Sequence, residues 1–339
     1  MTAKKLSFCT VALIIFAAFL TVLPKLGEAA PVMTLKLANQ FPTDHTATAM
    51  CKKLAADVEK KTNGRIAIKV YPANQLGDYT LVYEELIRGT IDMALISVPS
   101  QFDPRMELVY INGFVPGYAQ IEKAFKPGSW IFTKMDEFHN RLGVKFLGFN
   151  VEGMIGVATT KPVKEPLNPK VDKGILVRVP NMDVYKLGAE AMGFRTVTIP
   201  YADMYTALQT GVADGASSIP PAAAYTILKD VIKHWYQYNY SVENESYLMS
   251  KMTWDKLSAA DKKIIADAAA KVAAESIQTA KKDDQKYMDL MKKRGIVVHT
   301  YTDKEIQPLM KAVSKTWDKL SKTMTKDLID GFKKEFAPK

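Results

Sequence analysis

The residues that most often act in catalysis or metal binding are few and scattered in this chain. The four histidines form no H-E-x-x-H pair and have no cysteine partner at zinc-binding spacing, so no metal ligand is predicted. The closest approach to a nucleophile elbow is the segment Gly215-Ala216-Ser217-Ser218-Ile219, where Ile219 occupies the position that G-x-S-x-G reserves for glycine. The sequence contains no Walker loop and no G-x-G-x-x-G fingerprint. We therefore predict ligand binding without catalysis and without a cofactor.

The elements that must position such a site alternate between strand and helix. Leu35 and Leu37 alternate with polar neighbours, a helix is predicted over residues 44–62, and apolar alternation returns over residues 66–70. A second helix over 78–88 ends at Gly89 and leads into an apolar strand over 91–96. This order predicts an α/β fold with mostly parallel sheets flanked by helices.

A second lobe is predicted because the same order of elements returns later in the chain. Strands are expected over 175–179 and 196–199, and helices over 182–192 and 202–210. The pattern L-x-x-G-x-x-D-x-A occurs from Leu86 and again from Leu208, which suggests duplication of one supersecondary unit, although these residue types are common. A chain of 339 residues is long enough for two such lobes.

One segment is long enough to brace both lobes. Residues 258–294 contain no glycine or proline, Ser258 with Asp261 resembles a capping box, and Gly295 follows the far end. A continuous helix over this segment would be about 54 Å long at 1.5 Å per residue. Two abutting helices are the alternative.

The N-terminus has the order of a secretory signal peptide. Basic residues precede an apolar stretch that is too short to span a bilayer, and small residues follow near Ala29. Cys9 precedes that stretch, so no lipid anchor is expected, and Cys51 alone remains after cleavage. The formal net charge of +10 is spread among alternating acidic and basic residues, which predicts solvated helix faces and no nucleic-acid partner.

Several segments in a fixed order resemble the DctP-type solute-binding proteins of tripartite ATP-independent periplasmic (TRAP) transporters. They read L-K-L-A-N from Leu35, T-N-G-R from Thr62, Y-P-A-N-Q-L-G from Tyr71, K-G-I-L-V-R-V-P-N from Lys173 and Y-T-A-L-Q-T-G-V-A-D-G from Tyr205. The resemblance covers nearly the whole mature chain. It implies a two-lobed Venus-flytrap fold, a periplasmic location, a monomer, a small organic anion as ligand and delivery to a small and a large membrane subunit.

The resemblance also implies how the chain is divided and where the ligand is held. The expected division is a signal peptide over 1–29, lobe I over 30–151 with 244–281, and lobe II over 152–243 with 282–339. Arg178 matches the arginine that pairs with the ligand carboxylate, and a guanidinium suits a planar acid group because it offers two parallel donors. Asn39, Tyr201 and Ser97 match further ligand contacts, although they could instead be a strand-end cap, a core ring and a loop hydroxyl. The remaining candidates are Ser217, Gln75, Asp78 and Asn181.

Two departures from the family pattern bear on the ligand. Ser218 stands where the family often has a ligand-binding asparagine, and Ile155 stands where it often has a second arginine. One arginine with hydroxyls and aromatic rings suits a single acid group, so we expect a hydroxy or amino monocarboxylate or a sulfonate such as isethionate. Glu152 could contact a ligand amine or hydroxyl, but a solvated position near the hinge is the expectation. The alternatives are a C4-dicarboxylate binder, a ligand-binding partner of a periplasmic sensor and a periplasmic enzyme on the same scaffold.

Overall fold

The computed structural model describes residues 32–336, and the predicted signal peptide lies outside them. Eleven strands are found in the described part of the chain. They are β1 (Met33–Asn39), β2 (Ile66–Tyr71), β3 (Met93–Ile96), β4 (Val144–Met154), β5 (Gly156–Thr159), β6 (Leu176–Val179), β7 (Arg195–Thr198), β8 (Gly215–Ile219), β9 (His234–Gln237), β10 (Val242–Ser250) and β11 (Val297–Thr300).

Twelve α-helices flank these strands in the described residues, and those near residues 44–62, 78–88, 182–192, 202–210 and 258–294 were predicted. They are α1 (Thr46–Lys61), α2 (Tyr79–Arg88), α3 (Tyr118–Phe125), α4 (Trp130–Arg141), α5 (Asp183–Ala191), α6 (Met204–Gln209), α7 (Pro221–Leu228), α8 (Lys251–Lys256), α9 (Ala259–Lys293), α10 (Asp303–Ser314), α11 (Trp317–Met324) and α12 (Lys326–Phe336). Two 3-10 helices cover Pro104–Tyr110 and Tyr201–Asp203. Within residues 32–336, no helix combines the length and the apolar character that a membrane crossing requires.

The strands form two sheets, one in each lobe of an α/β fold. The first sheet has the order β2-β1-β3-β10-β4, and the second has the order β11-β9-β5-β8-β6-β7. Five of the nine pairings between described strands are parallel and four are antiparallel, so the sheets are mixed. The antiparallel pairings all involve β5 or β10. The strand β5 follows β4 of the first sheet, and β10 follows β9 of the second sheet. Both therefore begin directly after a point where the chain passes between the lobes.

The repeated sequence pattern has the same structural role in both lobes. Gly89 and Gly211 follow α2 and α6 with φ of 75° and 77°, a left-handed conformation that glycine adopts without steric cost. The aspartate three residues later accepts a hydrogen bond from the backbone of a neighbouring strand. Asp92 Oδ2 accepts from Lys36 N at 2.8 Å, and Asp214 Oδ2 accepts from Leu176 N at 2.9 Å. Asp92 thus binds β1 and Asp214 binds β6.

The helix α9 is one continuous element of 35 residues, as the capping pattern predicts. Its N-terminal half buries Ile265 and Val272 in the core of the first lobe, and its C-terminal half buries Met288 and Met291 in the core of the second. Between Val272 and Met288, the helix contributes Asp284, whose Oδ2 accepts a hydrogen bond from Met154 N at the end of β4, at 3.0 Å. The helix therefore packs against both lobes and is tied to one of the segments that connect them.

Candidate functional site

A cavity lies between the two sheets, at the edge where parallel strands of both lobes end. In open α/β sheets this edge is the usual place for a ligand. The space inside it that is open to water is small, about 30 Å³. The lobes are therefore closed around a compact site. Its walls are formed by Gln40, Tyr79, Ser97, Glu152, Arg178, Pro180, Met182, Tyr185, Tyr201, Ser218, Ile219, Pro220, Ala223 and Glu243.

Arg178 is the one arginine or lysine among the described lining residues. It lies near the carboxyl end of β6 and is 2 % exposed. Its Nε donates to the carbonyl oxygen of Ile199 at 2.7 Å, which fixes the orientation of the guanidinium. Burial lowers its pKa, but an arginine remains protonated in proteins. No carboxylate oxygen of residues 32–336 lies within 4.0 Å of its guanidinium nitrogens, so its charge is available to an anion.

Two hydroxyls of the second lobe project into the same cavity. Ser218, at the end of β8, has φ of +68°, a conformation that residues with a side chain rarely adopt. The hydroxyl of Tyr240 holds this backbone by accepting from Ser218 N at 3.0 Å. Neither Ser218 Oγ nor the hydroxyl of Tyr201 has a hydrogen-bond partner among the described residues, although both atoms are buried. Both can therefore bond to a ligand held at Arg178.

The first lobe contributes a rigid amide to the opposite wall. Gln40 follows β1 and Ser97 follows β3, and the two are joined by a pair of hydrogen bonds. Gln40 Nε2 donates to Ser97 Oγ at 3.0 Å, and Ser97 N donates to Gln40 Oε1 at 2.9 Å. Because β1 and β3 are parallel neighbours, their ends lie side by side.

Glu152 is buried in the cavity wall, contrary to the solvated position expected from the sequence. It is 8 % exposed. Along β10 the pairing moves one residue, from Glu243 to Asn244, whereas along β4 it moves two, from Gly153 to Val151. Glu152 is thus the extra residue of a β-bulge, a device that turns a side chain away from its regular direction. Burial raises the pKa of its carboxyl to about 8.

Two further glutamates lie on the adjacent strand. Glu243 and Glu245 are two residues apart on β10 and so lie on the same face of the sheet. Glu243 lines the cavity and accepts a hydrogen bond from the hydroxyl of Tyr185 at 2.5 Å. Glu245 lies behind the cavity wall and accepts from Asn150 Nδ2 at 2.7 Å. Burial raises the pKa of both carboxyls, and the charges of the neighbouring glutamates raise them further.

His45 lies beside this group of carboxyls but does not neutralise it. Its Nδ1 accepts from Ala47 N at 3.2 Å, so the neutral ring carries its proton on Nε2. That nitrogen lies 3.3 Å from Glu152 Oε1, without the alignment of a hydrogen bond. Burial lowers the pKa of His45 to about 4, and the charges of nearby aspartates oppose this only in part. The ring is therefore neutral near neutral pH.

The structure brings four of the predicted site residues to the cavity and places five elsewhere. Arg178, Ser218, Tyr201 and Ser97 line it. Asn39 closes the end of β1, since its amide donates to Thr48 Oγ1 at 2.6 Å and its carbonyl accepts from Phe41 N at 3.0 Å. The others lie outside the lining set: Ser217 Oγ bonds to the Tyr240 hydroxyl, Asp78 caps α2, and Gln75 and Asn181 are exposed.

Glu243, Gln40, Tyr79 and Tyr185 line the cavity without having been predicted. A signal for Glu243 does exist in the sequence, because the run from Val242 to Ser250 forms a strand in which two glutamates alternate with uncharged residues. Ionisable side chains at alternate positions of a buried strand need partners or a function. Among residues 32–336, no group of three or more metal-ligating side chains is placed to hold a metal ion.

Comparison with known proteins shows which family has this architecture. The family described as bacterial extracellular solute-binding protein, family 7 (DctP), matches residues 37–323. The chain is 28 % identical over 286 residues to the sialic acid-binding periplasmic protein SiaP of Vibrio cholerae, covering 82 % of this chain and 87 % of that protein. It is 25 % identical to the C4-dicarboxylate-binding periplasmic protein DctP of the same organism, covering 88 % and 89 %.

A solved structure agrees with this assignment at the level of the fold. It is a TRAP periplasmic solute-binding protein from a Polaromonas species, bound to D-erythronate, with a TM-score of 0.79 and 22 % identity. The similarity covers 91 % of this chain and 100 % of that one. The fold is therefore the two-lobed one expected from the sequence. With the family matched over most of its length, the chain belongs to the DctP family of bacterial extracellular solute-binding proteins.

Proposed function

We propose that this protein is the extracytoplasmic solute-binding subunit of a TRAP transporter, which captures a small organic anion and delivers it to the membrane subunits. One observation carries the proposal. Arg178 is a buried cation without a carboxylate partner within 4.0 Å among residues 32–336, on the wall of a cavity between two lobes. A buried charge that the protein leaves unpaired is costly, and an anionic ligand would pair it.

The ligand carries a single acid group under this proposal. Arg178 is the one cation among the described lining residues. Ile155, at the position where the family often has a second arginine, is buried and apolar. The adjoining hydroxyls of Ser218 and Tyr201 suit a monocarboxylate or a sulfonate such as isethionate. The structural relative from Polaromonas is bound to D-erythronate, a hydroxylated monocarboxylate.

A C4-dicarboxylate is the second candidate ligand, because one relative is named for that activity. Glu152 and Glu243 argue against it, since their oxygens in the ionised form would repel a second carboxylate in the cavity. Binding without catalysis, a monomeric state and a periplasmic location remain parts of the proposal. A sensor partner in place of a transporter would be recognised by the absence of neighbouring genes for two membrane subunits.

The test is ligand binding by the mature protein and by an Arg178→Lys variant. Monocarboxylates, hydroxy and amino acids, dicarboxylates and short sulfonates are screened by thermal melting, because a ligand that binds only the folded state raises the melting temperature. We expect shifts with one-acid ligands, lost or reduced at least about tenfold in affinity in Arg178→Lys, because lysine cannot form the bidentate pair. Arg195→Lys, an exposed arginine on the same sheet, is the matched control. Unchanged affinity in Arg178→Lys would remove this residue from the site.

A further inference from the structure

The two sides of the cavity differ in their ionisable groups. Arg178 stands on the second lobe, whereas Glu152 and Glu243 come from the two strands that join the lobes. Within residues 32–336, no lysine or arginine nitrogen lies within 4.0 Å of either glutamate, and the histidine beside Glu152 is neutral. An anion bound to Arg178 would therefore leave the acidic side without a cation.

The acidic side also has more hydrogen-bond acceptors than donors. Glu152 Oε1 and Glu245 Oε1 are buried and receive no hydrogen bond from another type of side chain or from a backbone N–H among the described residues, although the two carboxyls lie close enough to share one proton. Glu243 receives one donor, the hydroxyl of Tyr185, on Oε2. In their ionised form these carboxyls can only accept hydrogen bonds, and buried acceptors without donors are destabilising. A ligand group that supplies several donors would satisfy them.

We infer that the ligand is a small zwitterion, whose acid group binds Arg178 and whose ammonium group binds between Glu152 and Glu243. The inference rests on the proposed function and narrows its ligand class. An ammonium group offers three donors and a positive charge, whereas a hydroxyl offers one donor and no charge. The β-bulge at Glu152 supports this assignment, because it directs a second carboxyl into a cavity that already contains Glu243.

Proton binding by the glutamates provides a second way to test this inference. Burial raises the pKa of Glu152 to about 8, so this carboxyl binds a proton near neutral pH, and burial raises the pKa of Glu243 well above its ordinary value. A bound ammonium favours the ionised form of a neighbouring carboxyl and would lower both pKa values. Binding of a zwitterion should therefore release protons to the buffer, whereas binding of a hydroxy acid, which lacks the ammonium group, should not.

The experiment is calorimetric titration of the mature protein with pairs of acids that share a carbon skeleton. The pairs are alanine with lactate, serine with glycerate, and 4-aminobutyrate with 4-hydroxybutyrate, each measured in buffers of different ionisation enthalpy. We expect the amino member of at least one pair to bind at least about tenfold more tightly, with proton release. Glu243→Gln and Glu152→Gln should remove most of that preference, and the exposed Glu122→Gln should not.

The possible outcomes separate this inference from the proposed function. Hydroxy acids that bind as tightly as their amino partners, or amino acids that bind equally well to Glu243→Gln and Glu152→Gln, would overturn the zwitterion and leave the solute-binding function intact. If none of the acids in the wider screen binds, the proposed function fails and the inference fails with it. Circular dichroism of each variant distinguishes a lost contact from a lost fold.

Discussion

Ser218 shows how one residue of the site combines strain with an unused hydroxyl. Its φ of +68° lies in the left-handed region, which costs a residue with a side chain roughly 1 to 2 kcal/mol. Its backbone N–H is fixed by Tyr240, and its Oγ has no partner among residues 32–336. A strained backbone beside an unpaired buried hydroxyl is typical of binding sites, where ligand contacts compensate for lost stability.

Replacement of Ser218 should separate these two effects. Ser218→Gly removes both strain and hydroxyl, so the ligand-free protein should gain about 1 kcal/mol of unfolding free energy while ligand affinity falls. Ser218→Ala keeps the strain and removes the hydroxyl, so affinity should fall without a gain in stability. Urea denaturation and ligand titration measure the two quantities. A glycine variant no more stable than the alanine variant would contradict the role assigned to strain.

At the scale of elements, the two lobes share an aspartate that links the end of a helix to a neighbouring strand. Asp92 and Asp214 each follow a glycine-ended helix and accept the backbone N–H of a neighbouring strand. Asp214 also pairs with Lys161 at 2.8 Å on the surface, which adds little stability because the pair is solvated. The link between Asp214 and β6 matters for the site, since β6 carries Arg178.

Asp214→Ala should destabilise the second lobe. The substitution leaves Leu176 N without its acceptor, and a lost partner for a part-buried donor costs about 1 to 3 kcal/mol. Asp92→Ala should cost less in the first lobe, because the hydrogen bond from Lys36 N to Asp92 is exposed to water. The exposed Asp267→Ala should change stability by less than about 0.5 kcal/mol. Hydrogen exchange of the β6 and β1 amides would localise each effect. Equal amide exchange rates in the variant and the parent protein would show that these carboxylates do not stabilise the strands.

At the scale of the whole molecule, buried carboxyls at the junction of the lobes link stability to pH. Burial raises the pKa of Glu152 to about 8, and those of Glu107 and Asp284 to about 7. A carboxyl with a raised pKa in the folded protein binds a proton on folding. Its contribution to stability is present below its ordinary pKa and is lost as pH rises through the raised value. His45 and His139 do not contribute to this pH dependence above their ordinary pKa, because both rings are neutral there in the folded and in the unfolded protein.

The melting temperature of the ligand-free protein should therefore fall as pH increases from about 6.5 to about 8.5. Glu152→Gln cannot lose a proton, so it should flatten this decrease and melt higher than the parent protein at the alkaline end. Differential scanning calorimetry at several pH values measures the effect, with Glu122→Gln as the control on an exposed face. A decrease of the same slope in Glu152→Gln would mean that other groups account for it.

The sequence alone determined the features that depend on local patterns or on a family motif. The strands and helices predicted over residues 35–96 and 175–210, the glycine ends at Gly89 and Gly211, the long helix α9 and the two-lobed fold were confirmed. Arg178 was identified through its motif, and the structure places it in the cavity. Hydrophobic periodicity and end-capping residues act within a few positions of the chain, so they can be interpreted without a tertiary structure.

Only the tertiary structure decided the composition of the acidic side of the site. Glu152 and Glu243 are distant in sequence, and they line one cavity because β4 and β10 pair where the chain passes between the lobes. The bulge that turns Glu152 inward depends on the register of that pairing, which side-chain alternation does not reveal. The burial of these carboxyls, which also raises their pKa values, results from the packing of the two lobes around the cavity. For this reason a glutamate expected in solvent lies in the wall of the binding site.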